Sequence, residues 1–285
     1  RLSLIRQKVE REFQVSLLLL FFAATMLSAV EAERVVSLSP NLTETIYAIG
    51  AGDQLVGRST ACNMPPEARK LPVTGAFGRA FPESLLAVRP TLVVTAARLN
   101  SGRRQAEQAG AEWLMLPTAT LADYDKTVEI LGEKLHCQEG AAREKARFDG
   151  RIAEFRKAAA DIAPEERPKV LLAFSVQPVT TAGKRSFLTE LVDLAGGRSV
   201  TAEIDADYFV FSPEQIVAAA PDVIVLPGMA ADSARFRELP GWNELPAVRA
   251  GRVYFDFDPD LICRLGPRTP EGIALLSGFF REARR

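Results

Sequence analysis

The chain has 285 residues, of which 47% are hydrophobic and 25% charged, and its formal net charge at pH 7 is −1. That length is enough for two modest domains or one large one, and the balanced charge argues against a nucleic-acid-binding protein, which needs a basic surface. A single histidine, His136, leaves almost no material for histidine-rich metal sites or a Ser-His-Asp triad.

The first 32 residues have the layout of a secretory signal peptide. A basic start precedes an apolar run at residues 15–30, and the modest side chains that end at Ala32 follow it. The run is short for a membrane span of about 20 residues, although an uncleaved anchor is the alternative. No cysteine follows the run, which argues against a lipid anchor. We therefore predict export to the periplasm, with cleavage near Ala32 and a mature chain that begins near Glu33.

Strand and helix patterns alternate through the rest of the chain. The first half opens with a strand in RVVSL (34–38) and a helix in SPNLTETIYAIGAG (39–52). The second half starts with a strand in KVLLAF (169–174) and a helix in SFLTELVDLAGG (186–197), and Thr269 is expected to cap its last helix. Such alternation predicts βαβ units and mostly parallel sheets.

A helix-favouring run at residues 139–161 separates the two halves. A helix of that length spans roughly 35 Å, about the diameter of a small domain, so it would be a rigid connector. We predict two α/β lobes on this helix with a ligand cleft between them, because ligands of such sheets bind at the carboxyl ends of the strands. The predicted segments are a signal peptide (1–32), an N-terminal lobe (33–138), a connecting helix (139–165) and a C-terminal lobe (166–285).

One sequence unit occurs twice. FPESLLAVRPTLVV (81–94) returns as SPEQIVAAAPDVIV (212–225), so that Glu83 and Glu214 stand 131 positions apart (214 − 83). Each copy predicts a short helix that begins with an acid, followed by a buried strand. A helix dipole favours an acid in the first turn by about 0.3–1 kcal/mol, so from the pattern alone a repeated helix start is a sufficient explanation.

Five segments resemble the cobalamin- and iron-chelate-binding proteins of ABC importers. They are, in order, RVVSLSPNLTETIYAIGAGDQLVG, CNMPPEARKLP, PESLLAVRPTLVV, FLTELVDLAGG and SPEQIVAAAPDVIVL, with GPRTPEGIALL at the end of the match. The resemblance covers residues 34 to about 280 and implies two Rossmann-like lobes joined by one long rigid helix. It further implies a monomeric receptor with no resident cofactor, whose partners are a small-molecule metal chelate and an ABC permease in the inner membrane.

The resemblance gives the repeated acids a role. In this family an acid on the upper surface of each lobe docks onto arginines of the permease, and the matching positions are Glu83 and Glu214. With the resemblance added, docking is favoured over a plain helix start.

The same resemblance implies aromatic and apolar side chains that hold the ligand. Cobalamin binders clamp the corrin between aromatic side chains of both lobes. The matching positions are Tyr208, with Phe209 beside it, in the second lobe, and Met64 and Phe77 in the first, where Ala76 is the alternative within GAFG. These side chains could instead belong to the lobe cores.

Two arginines complete the implied ligand site. Arg264, in CRLGPR, matches a cleft-facing arginine of cobalamin binders, and Arg79 could supplement it. Two arginines would suit an anionic chelate or a corrinoid with acidic side groups. The alternative for each is a solvated loop charge. A haem-binding tyrosine is not expected in the first lobe, because no tyrosine lies between Tyr47 and Tyr124.

The cysteines leave three interpretations open. Cys62 and Cys263 lie in predicted cleft loops, one in each lobe, where two thiolates could hold a cobalt or iron centre. A disulfide between them would lock the lobes together, which suits a receptor poorly. We favour two unpaired small residues and predict no metal site.

No motif in the sequence predicts an enzyme. The glycines of AIGAGDQLVG close a helix and do not follow a strand, and in the stretch that ends in TTAGKRS Pro178 and Arg185 replace the first glycine and the Ser/Thr of a phosphate loop. We therefore predict a periplasmic receptor for a metal chelate, with a corrinoid as the first choice of ligand. The alternatives are an iron–siderophore receptor and a periplasmic adaptor that shares the fold without transporting anything.

Overall fold

The computed structural model describes residues 32–96, 102–229 and 236–284, which fold around two β-sheets. Residues 33–285 form one compact unit. The predicted signal peptide lies outside the described residues except for Ala32. Across the described ranges, no helix has both the length and the hydropathy that crossing a membrane requires.

The N-terminal lobe is built on the first sheet. Its elements are β1 (Val35–Ser37), α1 (Pro40–Ala48), β2 (Leu55–Ser59), β3 (Val73–Ala76), β4 (Arg79–Ala80), α2 (Pro82–Ala87), β5 (Leu92–Thr95), α3 (Arg103–Gln108), β6 (Glu112–Met115) and α4 (Leu121–Lys134). The strands lie in the order β4-β3-β2-β1-β5-β6, and all pairs are parallel except β3 with β4. β1 is buried along its whole length, as its run of small and apolar residues predicts.

The C-terminal lobe is built on the second sheet. Its elements, numbered after the connecting helix α5 (Gln138–Ala160), are β7 (Lys169–Val176), β8 (Val179–Ala182), α6 (Phe187–Leu194), β9 (Arg198–Ser199), β10 (Tyr208–Val210), α7 (Pro213–Ala219), β11 (Val223–Val225), α8 (Pro246–Arg249), β12 (Val253–Tyr254), α9 (Asp260–Cys263) and α10 (Thr269–Ala283). The strand order is β10-β8-β7-β11-β12, with β9 beside β7.

The second sheet is less parallel than the sequence predicts. β7, β8 and β10 pair in antiparallel fashion, whereas β11, β12 and β9 follow the parallel pattern. The reason is the short connection at residues 177–178 between β7 and β8, since two residues can return the chain only as a hairpin. The antiparallel edge places Tyr208 next to the end of β8.

The 23-residue helix α5 connects the lobes. Its first turn lies tightly against the end of α1, because a Cβ added at Gly140 would stand 1.8 Å from the carbonyl oxygen of Ile49. Phe148, on its buried face, packs against the ring of Tyr124 of α4 at a centroid distance of 4.3 Å and an interplanar angle of 44°. The helix is thus fixed to the first lobe by direct packing.

One buried apolar cluster extends through both lobes. It includes Val35 and Leu92 of the first sheet, Phe148 of α5, and Val170 and Phe280 of the second lobe. The predicted fold class, two α/β lobes on a long helix, is therefore confirmed. Because the lobes share a core along α5, this packing resists a large rotation of one lobe against the other.

Candidate functional site

A cavity of about 680 Å³ opens between the two lobes. This volume lies within the roughly 300–1,000 Å³ usual for small-molecule sites. Its lining comprises Phe77, Ala96, Met115, Leu116, Pro117, Thr118, Ala119 and Asp123 from the first lobe, and Arg185, Ser186, Asp207 and Tyr208 from the second. The cavity lies between the two lobes, where the sequence predicts a ligand cleft.

Strand ends place these side chains together. Ala96 follows β5, Met115 ends β6, and Arg185 follows β8. In the first lobe, the parallel strands β5 and β6 bring their carboxyl ends to one edge of the sheet, beside the cavity. In the second lobe, the cavity meets the antiparallel part of the sheet, where β8 ends and β10 begins. A backbone hydrogen bond joins the two lobes beside the cavity: the amide of Phe187 donates to the carbonyl oxygen of Ala119 at 2.6 Å.

Three large apolar side chains are exposed in the cavity. Phe77, Met115 and Tyr208 are 54%, 50% and 53% exposed, and they come from both lobes. The Tyr208 ring is held edge-on against Phe174 at a centroid distance of 6.0 Å. Apolar surface that stays open in a rigid cleft is suited to covering a flat apolar ligand.

The structure brings together two of the predicted ligand residues, Phe77 and Tyr208, and adds one that sequence reasoning missed. Met115 ends a parallel strand directly before Pro117, and that position was the available signal for a cleft residue. Phe209 alternates with Tyr208 along β10. It packs against the buried cluster of the second lobe, with its ring 5.9 Å from that of Phe211. The geometry of Phe209 matches the core alternative.

The other predicted ligand residues do not line this cavity. Met64 is half-buried in the loop after β2, and the exposed Arg79 lies with its guanidinium 5.7 Å from the ring centroid of Phe81. Arg264 is largely buried among polar partners. Ligand contacts by Met64, Phe209, Arg79 and Arg264 stay predictions, and the structure does not place these side chains with Tyr208.

Among the described residues that line the cavity, the charged groups are the carboxyl groups of Asp123 and Asp207 and the guanidinium of Arg185. Arg185 donates from Nε to Asp207 Oδ1 at 2.9 Å and from Nη1 to Asp205 Oδ1 at 2.8 Å, and these partners raise its pKa. Asp123 lies in the first turn of α4 and accepts hydrogen bonds from the backbone amides of Thr120 and Ala119. Although burial opposes it, these bonds hold the pKa of Asp123 below its ordinary value. In the described part of the cavity lining, carboxyl groups therefore outnumber guanidinium groups.

Arg264 belongs to a polar clasp between the lobes, which we define as Glu44, Asn63, Asp260, Arg264 and Arg268. Glu44, on α1, is 5% exposed and accepts from Arg264 Nη1 at 2.9 Å and from Arg268 Nε at 2.8 Å. Asn63 Oδ1 accepts from Arg264 at 2.7 Å, and Asn63 Nδ2 donates to Asp260 at 3.0 Å. The arginine that the sequence assigns to the ligand thus has a structural role in this conformation.

The two repeated acids lie at exposed helix starts outside the cavity. Glu83 is in the first turn of α2 and Glu214 in the first turn of α7. A hydrogen bond with Ser212 lowers the pKa of Glu214. Each helix also exposes an apolar side chain three residues further on, Leu86 at 52% and Val217 at 38%. The two helix starts therefore share both an exposed acid and an exposed apolar side chain three residues after it.

The cysteines are free, and their environments differ. Cys62 is buried, with Sγ 3.0 Å from Thr43 Oγ1 and 3.1 Å from Ser59 Oγ, whereas Cys263 is exposed. Within the described residues, no group of three or more His, Cys, Asp or Glu side chains could hold a metal ion.

Comparisons with known proteins agree with this architecture. Residues 35–259 match the family model described as periplasmic binding protein. The chain is 30% identical over 254 residues to an uncharacterized ABC transporter substrate-binding lipoprotein of Bacillus subtilis, covering 87% of this chain and 79% of the relative. It is 29% identical over 270 residues to the vitamin B12-binding protein of Vibrio parahaemolyticus, covering 93% and 96%.

Solved structures show the same fold. A periplasmic heme-binding protein from Roseiflexus sp. RS-1 superposes with a TM-score of 0.79 at 27% identity, covering 89% of this chain and all of that one. The periplasmic vitamin B12-binding protein of Vibrio cholerae superposes with a TM-score of 0.74 at 25% identity, covering 89% and 98%.

Proposed function

This chain belongs to the periplasmic binding protein family, of the type whose members bind vitamin B12, heme or siderophores, and from that premise we propose that it is the receptor of an ABC importer for a corrinoid. The corrinoid binds in the interlobe cavity, and the loaded receptor delivers it to a permease in the inner membrane.

The observation that carries the proposal is the exposure of Phe77, Met115 and Tyr208 in one cleft. A corrin is a broad, flat ring with an apolar face. Stacking such a face on an aromatic side chain contributes about 1–3 kcal/mol, by analogy with nucleobases. Because the three side chains come from both lobes, the ring would be covered on two sides.

The charge of the cavity favours a corrinoid over an anionic chelate. Among the described lining residues, the carboxyl groups of Asp123 and Asp207 accompany one guanidinium, that of Arg185, and an anionic ferric siderophore would approach these two carboxylates. The side groups of a corrinoid are largely uncharged amides, which can donate to the carboxylates and accept from the guanidinium. The predicted arginines do not alter this balance, since neither Arg79 nor Arg264 lines the cavity.

The names of the relatives support the same ligand class. Several curated relatives are vitamin B12-binding proteins at about 30% identity. The structural relatives include heme-binding proteins, so haem is the natural competitor in a test. The propionates of haem are anionic and would face the same carboxylates.

Delivery to a permease is proposed from the repeated acidic helix starts. Glu83 and Glu214 are exposed, lie outside the cavity and occur at matched positions of the two lobes. A partner that contacts both lobes at once would meet the same arrangement twice. The alternative, an adaptor without transport, would keep these surfaces but would not need an open apolar cleft.

Equilibrium titration of the purified protein tests the proposal. We expect saturable binding of cyanocobalamin, followed by the quenching of Trp113 and Trp242, and weaker or no binding of haemin and of a ferric catecholate siderophore. Native mass spectrometry with an absorption spectrum, on protein recovered from the periplasm, gives an independent readout. Tighter binding of the siderophore would replace the corrinoid by the iron-chelate alternative, and permease capture without any ligand would favour the adaptor.

A further inference from the structure

A second cavity of about 750 Å³ adjoins the interlobe cavity on the side of the second lobe. It is lined by Ala119, Thr120, Lys184, Arg185, Glu203, Asp205 and Asp207, and we call it the polar annex. Three of these residues, Ala119, Arg185 and Asp207, also line the interlobe cavity. A ligand seated against Tyr208 can therefore extend past Arg185 into the annex. The described residues that line the annex include no large apolar side chain, so the annex suits a polar part of the ligand.

The walls of the annex are held in place by backbone hydrogen bonds. The amides of Gly183, Lys184 and Arg185 donate to carbonyl oxygens within residues 204–207 at 2.8–3.1 Å. The two segments approach so closely that a Cβ at Gly183 would stand 2.5 Å from the carbonyl oxygen of Ala206. A preorganised wall lets a ligand bind without a further ordering cost.

The annex offers polar groups that the described residues leave uncommitted. Arg185 uses two of its five N–H donors, one for Asp205 and one for Asp207, and three remain. Within the described part of the chain, the ammonium of Lys184 and the carboxylate of Glu203 form no side-chain hydrogen bond or ion pair. Both side chains are exposed. Arg185 pairs with both Asp205 and Asp207, so three carboxylates and two cations are present among the described lining residues, and Lys184 is the cation without a carboxylate partner there.

We propose that the polar annex binds the nucleotide tail of a complete corrinoid, a statement that rests on the proposed function. Such a ligand has two chemically different parts, a flat ring and a tail built from a phosphodiester and a ribose. Lys184 and the free N–H groups of Arg185 donate to the phosphate oxygens. Glu203 accepts a hydrogen bond from a ribose hydroxyl. The two adjoining cavities thus match the two parts of one ligand.

The annex determines specificity between corrinoids. A corrinoid without the tail fills the apolar cavity, but Lys184 and Glu203 then stay hydrogen-bonded to water and do not contact the ligand. A complete corrinoid gains charge-assisted hydrogen bonds at a preformed surface. The receptor therefore binds the complete form more tightly, and the preference depends on Lys184.

Paired titrations test the annex. Wild type and Lys184→Gln are titrated with cobalamin and with cobinamide, which lacks the nucleotide tail. We expect Lys184→Gln to weaken cobalamin binding about 3- to 10-fold, as one exposed charge-assisted bond implies, and to leave cobinamide binding unchanged. Glu203→Gln should show the same selectivity with a smaller loss. Lys157→Gln, an exposed lysine on α5 that lines neither cavity, is the matched control.

The outcomes distinguish a failure of the annex proposal from a failure of the proposed receptor function. Suppose that Lys184→Gln weakens the binding of both corrinoids equally, or of neither, or that wild type binds cobinamide at least as tightly as cobalamin. In each of these cases the annex does not bind the tail, and the receptor function stands. If wild type binds neither corrinoid, the proposed function fails and the annex proposal fails with it. The melting temperature of each variant must match wild type, which the exposure of both side chains leads us to expect.

Discussion

The carboxylate of Glu44, on α1, lies 2.9 Å from the guanidinium of Arg264, which belongs to the other lobe. Glu44 is 5% exposed, and Arg268 contacts it at 2.8 Å from the other side. The clasp therefore joins the lobes at a buried point away from the lining of the interlobe cavity. A receptor whose lobes are tied in this way holds its cleft at nearly constant width, which suits a large rigid ligand.

Glu44→Gln is expected to destabilise the protein. The amide cannot neutralise two guanidinium groups, and each charged hydrogen bond to Glu44 contributes about 1.5–3 kcal/mol. Because both arginines keep some access to water, we expect a loss near the lower end of that range. Urea unfolding measures it, with Glu129→Gln on exposed α4 surface as the control. A variant as stable as wild type would show that the clasp adds nothing to stability.

Tyr208→Ala is expected to weaken corrinoid binding roughly 5- to 150-fold, which corresponds to the loss of about 1–3 kcal/mol of stacking. Its side chain is 53% exposed, so the stability of the free protein should change little. Val210, on the same strand and 56% exposed, lies outside the cavity lining and supplies a matched Val210→Ala control. A large drop in melting temperature with Tyr208→Ala would assign the ring to the core.

The sequence predicted the elements better than it predicted the contacts between them. β1, α6 and α5 follow from local signals: an apolar run, a Ser186 cap with glycines at the helix end, and a long stretch that favours a helix apart from Gly150. Glu44 and Arg264 stand 220 positions apart (264 − 44), and no local pattern indicates that they pair. Because the sequence does not reveal this ion pair, it could not show that Arg264 has a structural role in place of the ligand contact assigned to it.

The candidate site was predictable only in part. Phe77 and Tyr208 could be named because the family pattern marks their positions, and the structure places both in the cavity. Met115 carries no motif, and its exposure depends on where β6 ends relative to the second lobe. The alternation along β10 decides that Tyr208 faces outward while Phe209 packs inward, and a three-residue strand is too short to show that in its sequence.

The pH dependence of stability should include a contribution from Asp123. Its pKa is lower in the folded protein than in the unfolded chain, where it is about 3.9. The stabilisation is therefore fully present above the unfolded pKa and is lost as the pH falls through the folded pKa. Asp123→Asn should lose less unfolding free energy than wild type as the pH falls below about 4, as urea unfolding at each pH will show. Parallel curves would mean that the folded-state pKa is not lowered.

Reversal of the repeated acids should separate docking from ligand binding. Glu83→Lys or Glu214→Lys should leave corrinoid affinity nearly unchanged, because both side chains lie outside the cavity. Each should weaken assembly with the permease, since a lysine would then face the permease arginine, and like charges at an interface can cost several kcal/mol. Ligand titration and permease pull-down, run side by side on the same preparations, make the comparison.

A double charge reversal and three controls show whether weaker assembly is due to the loss of docking contacts. Glu83→Lys with Glu214→Lys should weaken assembly more than either change alone, and an Arg→Glu change on the permease should restore it. Salt should weaken wild-type assembly more than the residual assembly of the variants, because exposed ion pairs are screened. Glu133→Lys, an exposed reversal on α4, should leave both readouts at wild-type level. A parallel collapse of ligand binding and assembly in the two acid reversals would assign these glutamates to the fold, and the repeated unit would then be only a repeated helix start.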